Sequence, residues 1–278
     1  MVEEKIDSRM EVSNLKVISK EVLKAVDAAS EEVMQIYKSD SYEIEGKIDG
    51  SPVTLADKRS HDVLSSSLAS IDPNIPILSE EGDAQHNTKS LFWLIDPLDG
   101  TKEFINKNGE FTVNVALIEE GVPILGIVSA PAIKECFVGF MGQALKISNG
   151  KEIVINSKKQ TRDICLVTVS KSHKSDKDNI FIESCKKEFE KVEEVPTGSS
   201  LKLCRVAEGK ANIYSRMGPT YQWDIAAGQA VVEAAGGTVS NLEGQPLRYE
   251  FISEKKNPLF YCSGDPLFPW KNIFDKLV

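Results

Sequence analysis

Trp93-Leu94-Ile95-Asp96-Pro97-Leu98-Asp99-Gly100-Thr101 reads as an apolar strand that ends in two carboxylates and a glycine. The strand, Leu91 to Ile95, is a short apolar run with two aromatic residues. Pro97 fixes the backbone between Asp96 and Asp99. That lets both side chains wrap one pair of metal ions, with the Leu98 carbonyl aimed inward as a further oxygen. A plainer reading competes: Asp-Pro and Asp-Gly are common turn dipeptides, and taken alone Asp99-Gly100 is a turn.

Two more acidic clusters stand in comparable places. Leu78-Ser79-Glu80-Glu81-Gly82 follows an apolar strand, and Trp223-Asp224 stands at the start of a helix. Carboxylates at strand ends and helix starts can converge at one edge of a sheet. Hard divalent cations take oxygen ligands, and Mg²⁺ uses a few carboxylates while keeping waters for a substrate phosphate. Each piece has a local alternative. Asp224 suits a helix N-cap, Glu80 and Glu81 suit a solvated pair, and Asp57 lies three residues after Thr54, close to a capping box. Only the combination points to a metal.

Working outward, Leu15 to Tyr37 reads as a helix with Leu15, Ile18, Val22, Ala25, Ala29, Val33 and Ile36 on one face. Lys47 to Pro52 is a break, and a second helix after Thr54 buries Leu55, Leu64 and Leu68. Strands are expected at Ile75 to Leu78, Leu91 to Ile95, Phe111 to Ile118, Ile124 to Ala130 and Cys136 to Phe140. In the third of these, Phe111, Val113, Val115 and Leu117 alternate with Thr112, Asn114 and Ala116, the pattern of an antiparallel strand with one buried face. Beyond about residue 160, strands at Ile164 to Val169 and Ala211 to Tyr214 mix with helices at Asn179 to Phe189, Leu201 to Glu208 and from Asp224 to Gly236-Gly237. The organisation expected is a helix and antiparallel-sheet part over 1–160, with most of the carboxylates, and a smaller α/β part over 161–278 that contains Asp224.

The formal net charge is −9, which speaks against a nucleic-acid polymer as partner. If the substrate is a phosphate ester, the site must reverse the local sign, and metal ions do that. Five cysteines, none in a Cys-x-x-Cys pair, suit small buried side chains in a reducing cytoplasm. No stretch reaches the ~20 apolar residues of a membrane span, and Val2-Glu3-Glu4 lacks the basic start of a signal peptide.

Glu80-Glu81, Asp96 to Thr101 and Trp223-Asp224-Ile225-Ala226-Ala227-Gly228 resemble the three signatures of the inositol monophosphatase superfamily of metal-dependent, lithium-sensitive phosphatases. Lys47 to Asp57, Asp99 to Phe104, Asn108 to Asn114, Ser170 to His173, Gly198 to Lys202 and Tyr214 to Arg216 resemble its bacterial CysQ branch, the 3′(2′),5′-bisphosphate nucleotidases. Departures, at Ile48-Asp49-Gly50, Leu55 and an N-terminal extension, touch no expected ligand. The tail after Glu250 matches loosely and is given no chemistry.

The resemblance implies an α/β (α+β) protein with the layered α/β/α/β/α sugar-phosphatase fold. The implied reaction removes the 3′-phosphate of 3′-phosphoadenosine 5′-phosphate (pAp), giving AMP and phosphate, in the service of sulfate assimilation. Glu80, Asp96 and the Leu98 carbonyl would hold one Mg²⁺, and Asp96, Asp99 and Asp224 a second, with room for a third near Glu80. Thr101, bonded to Asp57, would orient the attacking water, with Glu80 as the competing base. Gly100, Thr101 and Lys102 would hold the scissile phosphate, and His173, Ser199, Lys202 and Arg216 the nucleotide. Li⁺ is expected to inhibit. The resemblance also implies a monomer or homodimer in the cytoplasm, with peripheral association at the inner membrane.

Two rivals follow. One is an inositol monophosphatase or broad sugar phosphatase on the same scaffold, from which His173, Gly198 to Lys202 and Arg216 discriminate because they suit a second phosphate and a base. The other is a catalytically silent metal-binding subunit, disfavoured because every expected ligand is present.

Overall fold

The computed structural model of the chain describes residues 12–39, 44–46, 52–83, 89–171 and 176–275. The order begins α1 (Val12–Lys38), β1 (Ile44–Gly46), β2 (Pro52–Thr54), α2 (Leu55–Ile71), β3 (Ile77–Ser79), β4 (Leu91–Asp99) and α3 (Thr101–Ile105). There follow β5 (Thr112–Glu119), β6 (Val122–Ala130), β7 (Glu135–Phe140), β8 (Gln143–Ser148) and β9 (Lys151–Ile155). The remainder is β10 (Ile164–Ser170), α4 (Asp176–Lys186), β11 (Lys191–Thr197), α5 (Leu201–Ala207), β12 (Ile213–Arg216), α6 (Ala226–Ala234), β13 (Thr238–Asn241), β14 (Phe260–Ser263) and α7 (Lys271–Phe274). Most of the break expected at Lys47 to Pro52 lies outside the described residues, as do Val2-Glu3-Glu4.

Five layers result. α1 and α2 cover one face of a seven-stranded sheet, β3 to β9 in sequence order, through Val22, Val33, Leu64, Trp93, Val113 and Val115. α5 and α6 cover the other face and also meet a five-stranded sheet of order β11-β10-β12-β14-β13, through Leu94, Ala116, Leu203, Val231, Val239 and Phe260. α4 and α7 close the far side of that second sheet, where Phe181 and Phe274 stack with ring centroids 4.8 Å apart. This is the layered α/β/α/β/α fold.

The alternation in β5 does not mark a wet face. Thr112, Asn114 and Ala116 are as buried as Val113 and Val115, because helices cover both faces of the sheet. β6 and β7 supply the seat for α6. Gly126 and Gly139 are cross-strand partners, and the helix backbone lies directly on them. A Cβ on Gly126 would stand 2.2 Å from the Ala227 carbonyl oxygen.

A buried charge network pins α5 to the first sheet. Lys146 on β8 bonds Glu208 at 2.8 Å, and Arg205 on α5 bonds Glu135 on β7 at 2.8 Å. Burial works against ionising Glu135 and Glu208, but the hydrogen bonds from Lys146 and Arg205 outweigh it and hold both carboxyls below their usual value. Groups with lowered folded-state values stabilise the fold above the unfolded value, and lose that contribution as pH falls through the folded one. Glu208→Gln is expected to cost ~2 kcal/mol at neutral pH, between a surface and a fully buried pair. Its thermal stability will fall less steeply than that of the wild type below about pH 4.5, measured by calorimetric melts across the acid range.

Candidate active site

β3 and β4 run parallel, with Ser79 beside Ile95, so both strands deliver their C-terminal residues to one edge. The Glu80 N–H donates to the Ile95 carbonyl at 3.2 Å and sets Glu80 next to Asp96. Along a regular strand, residues three apart face opposite sides. β4 avoids this with a bulge. Asp96 pairs with Asn114 and Asp99 with Thr112, so three steps on β4 answer two on β5. One extra residue returns Asp96 and Asp99 to the same side. The Pro97 carbonyl, out of the ladder, accepts the Ser60 hydroxyl at 2.7 Å. That bond draws the first turn of α2 to the bulge and brings buried Asp57 with it.

Gly100 follows with φ 88° and opens α3 at Thr101. A Cβ there would stand 3.0 Å from that of Ser199, so only glycine lets the two loops meet. Thr101 is partly buried and Lys102 is exposed.

Asp224 comes from the other side. The helix expected to start at Asp224 starts at Ala226, because Asp224 lies in a turn where its Oδ2 accepts the Tyr221 N–H at 2.9 Å. Ser200 joins the two sides, with its hydroxyl 2.7 Å from Asp99 Oδ2 and 2.9 Å from the Asp224 carbonyl oxygen.

The carboxylates face each other across little solvent. Burial, then Glu80, Asp99, Asp224 and Asp57, push the Asp96 carboxyl well above its usual value. Burial, then Asp99 and Glu80, do the same to Asp224. Asp99 is raised by burial, against the pull of Lys202 and the Ser200 hydrogen bond. Lys202 is lowered by burial, with Asp99 opposing.

Lys202, Ser199, Tyr214 and Arg216 line a cavity of about 80 Å³ that also touches Asp99 and Asp224. Lys202 Nζ donates to the Ser199 carbonyl at 2.6 Å, and Arg216 to the Pro219 carbonyl at 3.1 Å, while Arg216 Nε is buried without a hydrogen-bond partner. His173 lies outside the described residues.

Among the described residues, no three Asp, Glu, His or Cys side chains are already arranged as a metal cage. The donor chemistry nonetheless fits a hard cation. Asp96 Oδ1 accepts the Leu98 N–H at 3.1 Å, while Oδ2 is buried with no hydrogen-bond partner. A buried carboxylate oxygen among four other carboxylates is costly without a positive charge.

Ser200, Asn114, Thr112 and Glu110 belong to the site although no role was expected of them. Thr112 bonds the Ser199 hydroxyl at 3.0 Å, and Glu110 Oε2 accepts the Gly198 N–H at 2.7 Å. For Thr112 and Asn114 the signal was present in the CysQ-like run Asn108 to Asn114, where they are polar residues in a strand, and for Ser200 in the run Gly198 to Lys202.

The sequence profile of the inositol monophosphatase family matches residues 14–263. The 3′(2′),5′-bisphosphate nucleotidase CysQ of Salmonella typhimurium is 42% identical over 238 residues, 84% of this chain and 94% of that protein. The CysQ nucleotidase of Escherichia coli K12 is 41% identical over 241 residues, covering 84% and 95%. Among solved structures, CysQ from Bacteroides thetaiotaomicron superposes with a TM-score of 0.79 at 35% identity, covering 89% of this chain and 97% of that one. A Thermotoga maritima IMPase shares the fold, with a TM-score of 0.75 at 22% identity over 94% and 98%.

Proposed function

As the chain belongs to the inositol monophosphatase family, we propose that it is a 3′(2′),5′-bisphosphate nucleotidase that hydrolyses the 3′-phosphate of pAp to AMP and phosphate, in support of sulfate assimilation. The family is generally Mg²⁺-dependent. The observation that carries the reading is the juxtaposition of a carboxylate cradle with a cationic cavity. Asp99 and Asp224 line the same space as Lys202 and Arg216. A substrate with two phosphates suits it, one end for each sign of charge. The cavity is far smaller than the ~300–1,000 Å³ of a whole ligand pocket, so it takes one end of the nucleotide.

Glu80, Asp96 and the Leu98 carbonyl would hold one ion, and Asp96, Asp99 and Asp224 a second, with a third near Glu80. Bound Mg²⁺ supplies positive charge for the phosphate oxygens and makes a water easier to deprotonate. Asp57 and Thr101 would orient the attacking water, and Glu80 would be the alternative base. Gly100, Thr101 and Lys102 hold the scissile phosphate. Lys202, Arg216, Ser199 and His173 hold the 5′-phosphate end and the nucleoside. All five cysteines are free and buried, which suits a reducing cytoplasm. Among the described residues no helix is long and apolar enough to cross a membrane.

Phosphate release from pAp and from inositol 1-phosphate, side by side with Mg²⁺ and with added Li⁺, tests the reading. Turnover of pAp at least tenfold more efficient, and suppressed by Li⁺, is expected. Preference for inositol 1-phosphate would move the chain to the sugar-phosphatase branch. Lys202→Ala is expected to raise KM for pAp about tenfold, the scale of one lost charge-assisted contact of ~1.4 kcal/mol, with a smaller change for a simple phosphate ester. Equal changes for both substrates would remove Lys202 from the nucleotide site.

A further inference from the structure

Ser200 occupies the N-cap position of α5, where a serine hydroxyl ordinarily accepts a backbone N–H from the first turn. Here it makes no such bond. The side chain, 2% exposed, turns toward the carboxylates, 2.7 Å from Asp99 Oδ2 and 2.9 Å from the Asp224 carbonyl oxygen. A hydroxyl has one proton to give and also accepts. Asn114 decides which way that proton points. Its Nδ2 donates to Ser200 Oγ at 3.0 Å, leaving the hydroxyl proton for Asp99 and Asp224. Asn114 is 1% exposed and is the cross-strand partner of Asp96, so its amide is fixed by the strand that pairs with β4.

We propose that Ser200, oriented by Asn114, is a positioning residue that sets Asp99 and the Asp224 turn relative to each other and thereby raises the affinity of the site for Mg²⁺. The inference rests on Asp99 and Asp224 being metal ligands, as assigned above. The two approach from different elements, the end of β4 and the turn before α6. Without a tie, each would have to be ordered when an ion arrives. A hydrogen bond made beforehand removes part of that cost. Partners of this kind, one bond removed from the ligands, change metal affinity by about 10–100-fold when deleted.

The test is calorimetric titration of Mg²⁺ into the metal-stripped full chain, for wild type, Ser200→Ala, Asn114→Ala and Asp99→Asn, with melts in EDTA alongside. Ser200→Ala is expected to raise the Mg²⁺ dissociation constant about tenfold, the lower end of that range, and Asn114→Ala about threefold, less because it acts on the ligands only through Ser200. A purely structural role would lower the EDTA melting temperature and leave the dissociation constant alone. Dissociation constants within twofold of wild type in both variants overturn the inference, and Asn114→Ala carries the test if Ser200→Ala does not fold. Wild-type binding that Asp99→Asn leaves unchanged overturns the ligand assignment itself, and the inference with it.

Discussion

Asp99→Asn is expected to lower turnover at ordinary Mg²⁺ by about a thousandfold or more and to leave the fold intact. The estimate follows from the several kcal/mol that a correctly held metal supplies to phosphoryl transfer, at about 1.4 kcal/mol per factor of ten. Asparagine keeps the volume and can still accept the Ser200 hydroxyl that lies 2.7 Å from Asp99 Oδ2. It removes the charge. In the metal-free protein that charge is unwelcome, since burial raises the Asp99 carboxyl above its usual value. A group raised in the folded state favours the fold below its unfolded value and loses that contribution as pH rises through the folded one. At neutral pH, therefore, the variant in EDTA melts at or above the wild-type temperature, while its rise on adding Mg²⁺ disappears. Near-normal turnover would reject Asp99 as a ligand, and a fall in the EDTA melt would show that the loss of activity came from misfolding.

Gly126→Ala is expected to be the most damaging single methyl group in the molecule. The added carbon would stand 2.2 Å from the Ala227 carbonyl oxygen and 2.6 Å from the Ala230 Cβ. A flexible side chain could swing away, but here the obstacle is helix backbone. Overpacking of this kind costs ~1–3 kcal/mol where side chains can yield, and more where they cannot. A loss of ~4 kcal/mol, or roughly 10 °C in melting temperature for a chain of this size, is expected from thermal and urea unfolding. The effect reaches the site, because α6 begins two residues after Asp224. Folded Gly126→Ala should also need more Mg²⁺ for half-maximal turnover. A melting temperature within about 2 °C of wild type would show that α6 moves freely on the sheet.

What was legible in the sequence follows periodicity and exposure. The helical face from Leu15 to Ile36 and the strands beside it came through because their apolar spacing is regular and the layers bury it. Several strands of mixed composition did not. Lys191–Thr197 carries lysine, two glutamates and a proline, residues an edge strand tolerates on its open side, and nothing in its pattern reports the parallel pairing with β10. Gln143–Ser148 and Lys151–Ile155 are similarly mixed. In the site, Asp96 and Asp99 were visible as a pair, but their shared side depends on a bulge that exists only opposite β5. Ser200 was hidden by its own plausibility. A serine at a helix start is the ordinary cap, and only the three-dimensional contact shows its hydroxyl spent elsewhere.

The tail given no chemistry completes the second sheet. Phe260–Ser263 forms β14, which lies inside the second sheet between β12 and β13. A chain emerging from the ribosome at ~5–20 residues per second folds its earlier parts first, so Glu80, Asp96, Asp99 and Asp224 all emerge before β14 does. Until then β13 lacks the strand it pairs with, and the apolar cluster between the two sheets lacks Phe260 and Cys262. A chain cut short of Phe260 would therefore carry every proposed carboxylate ligand beside an incomplete second sheet.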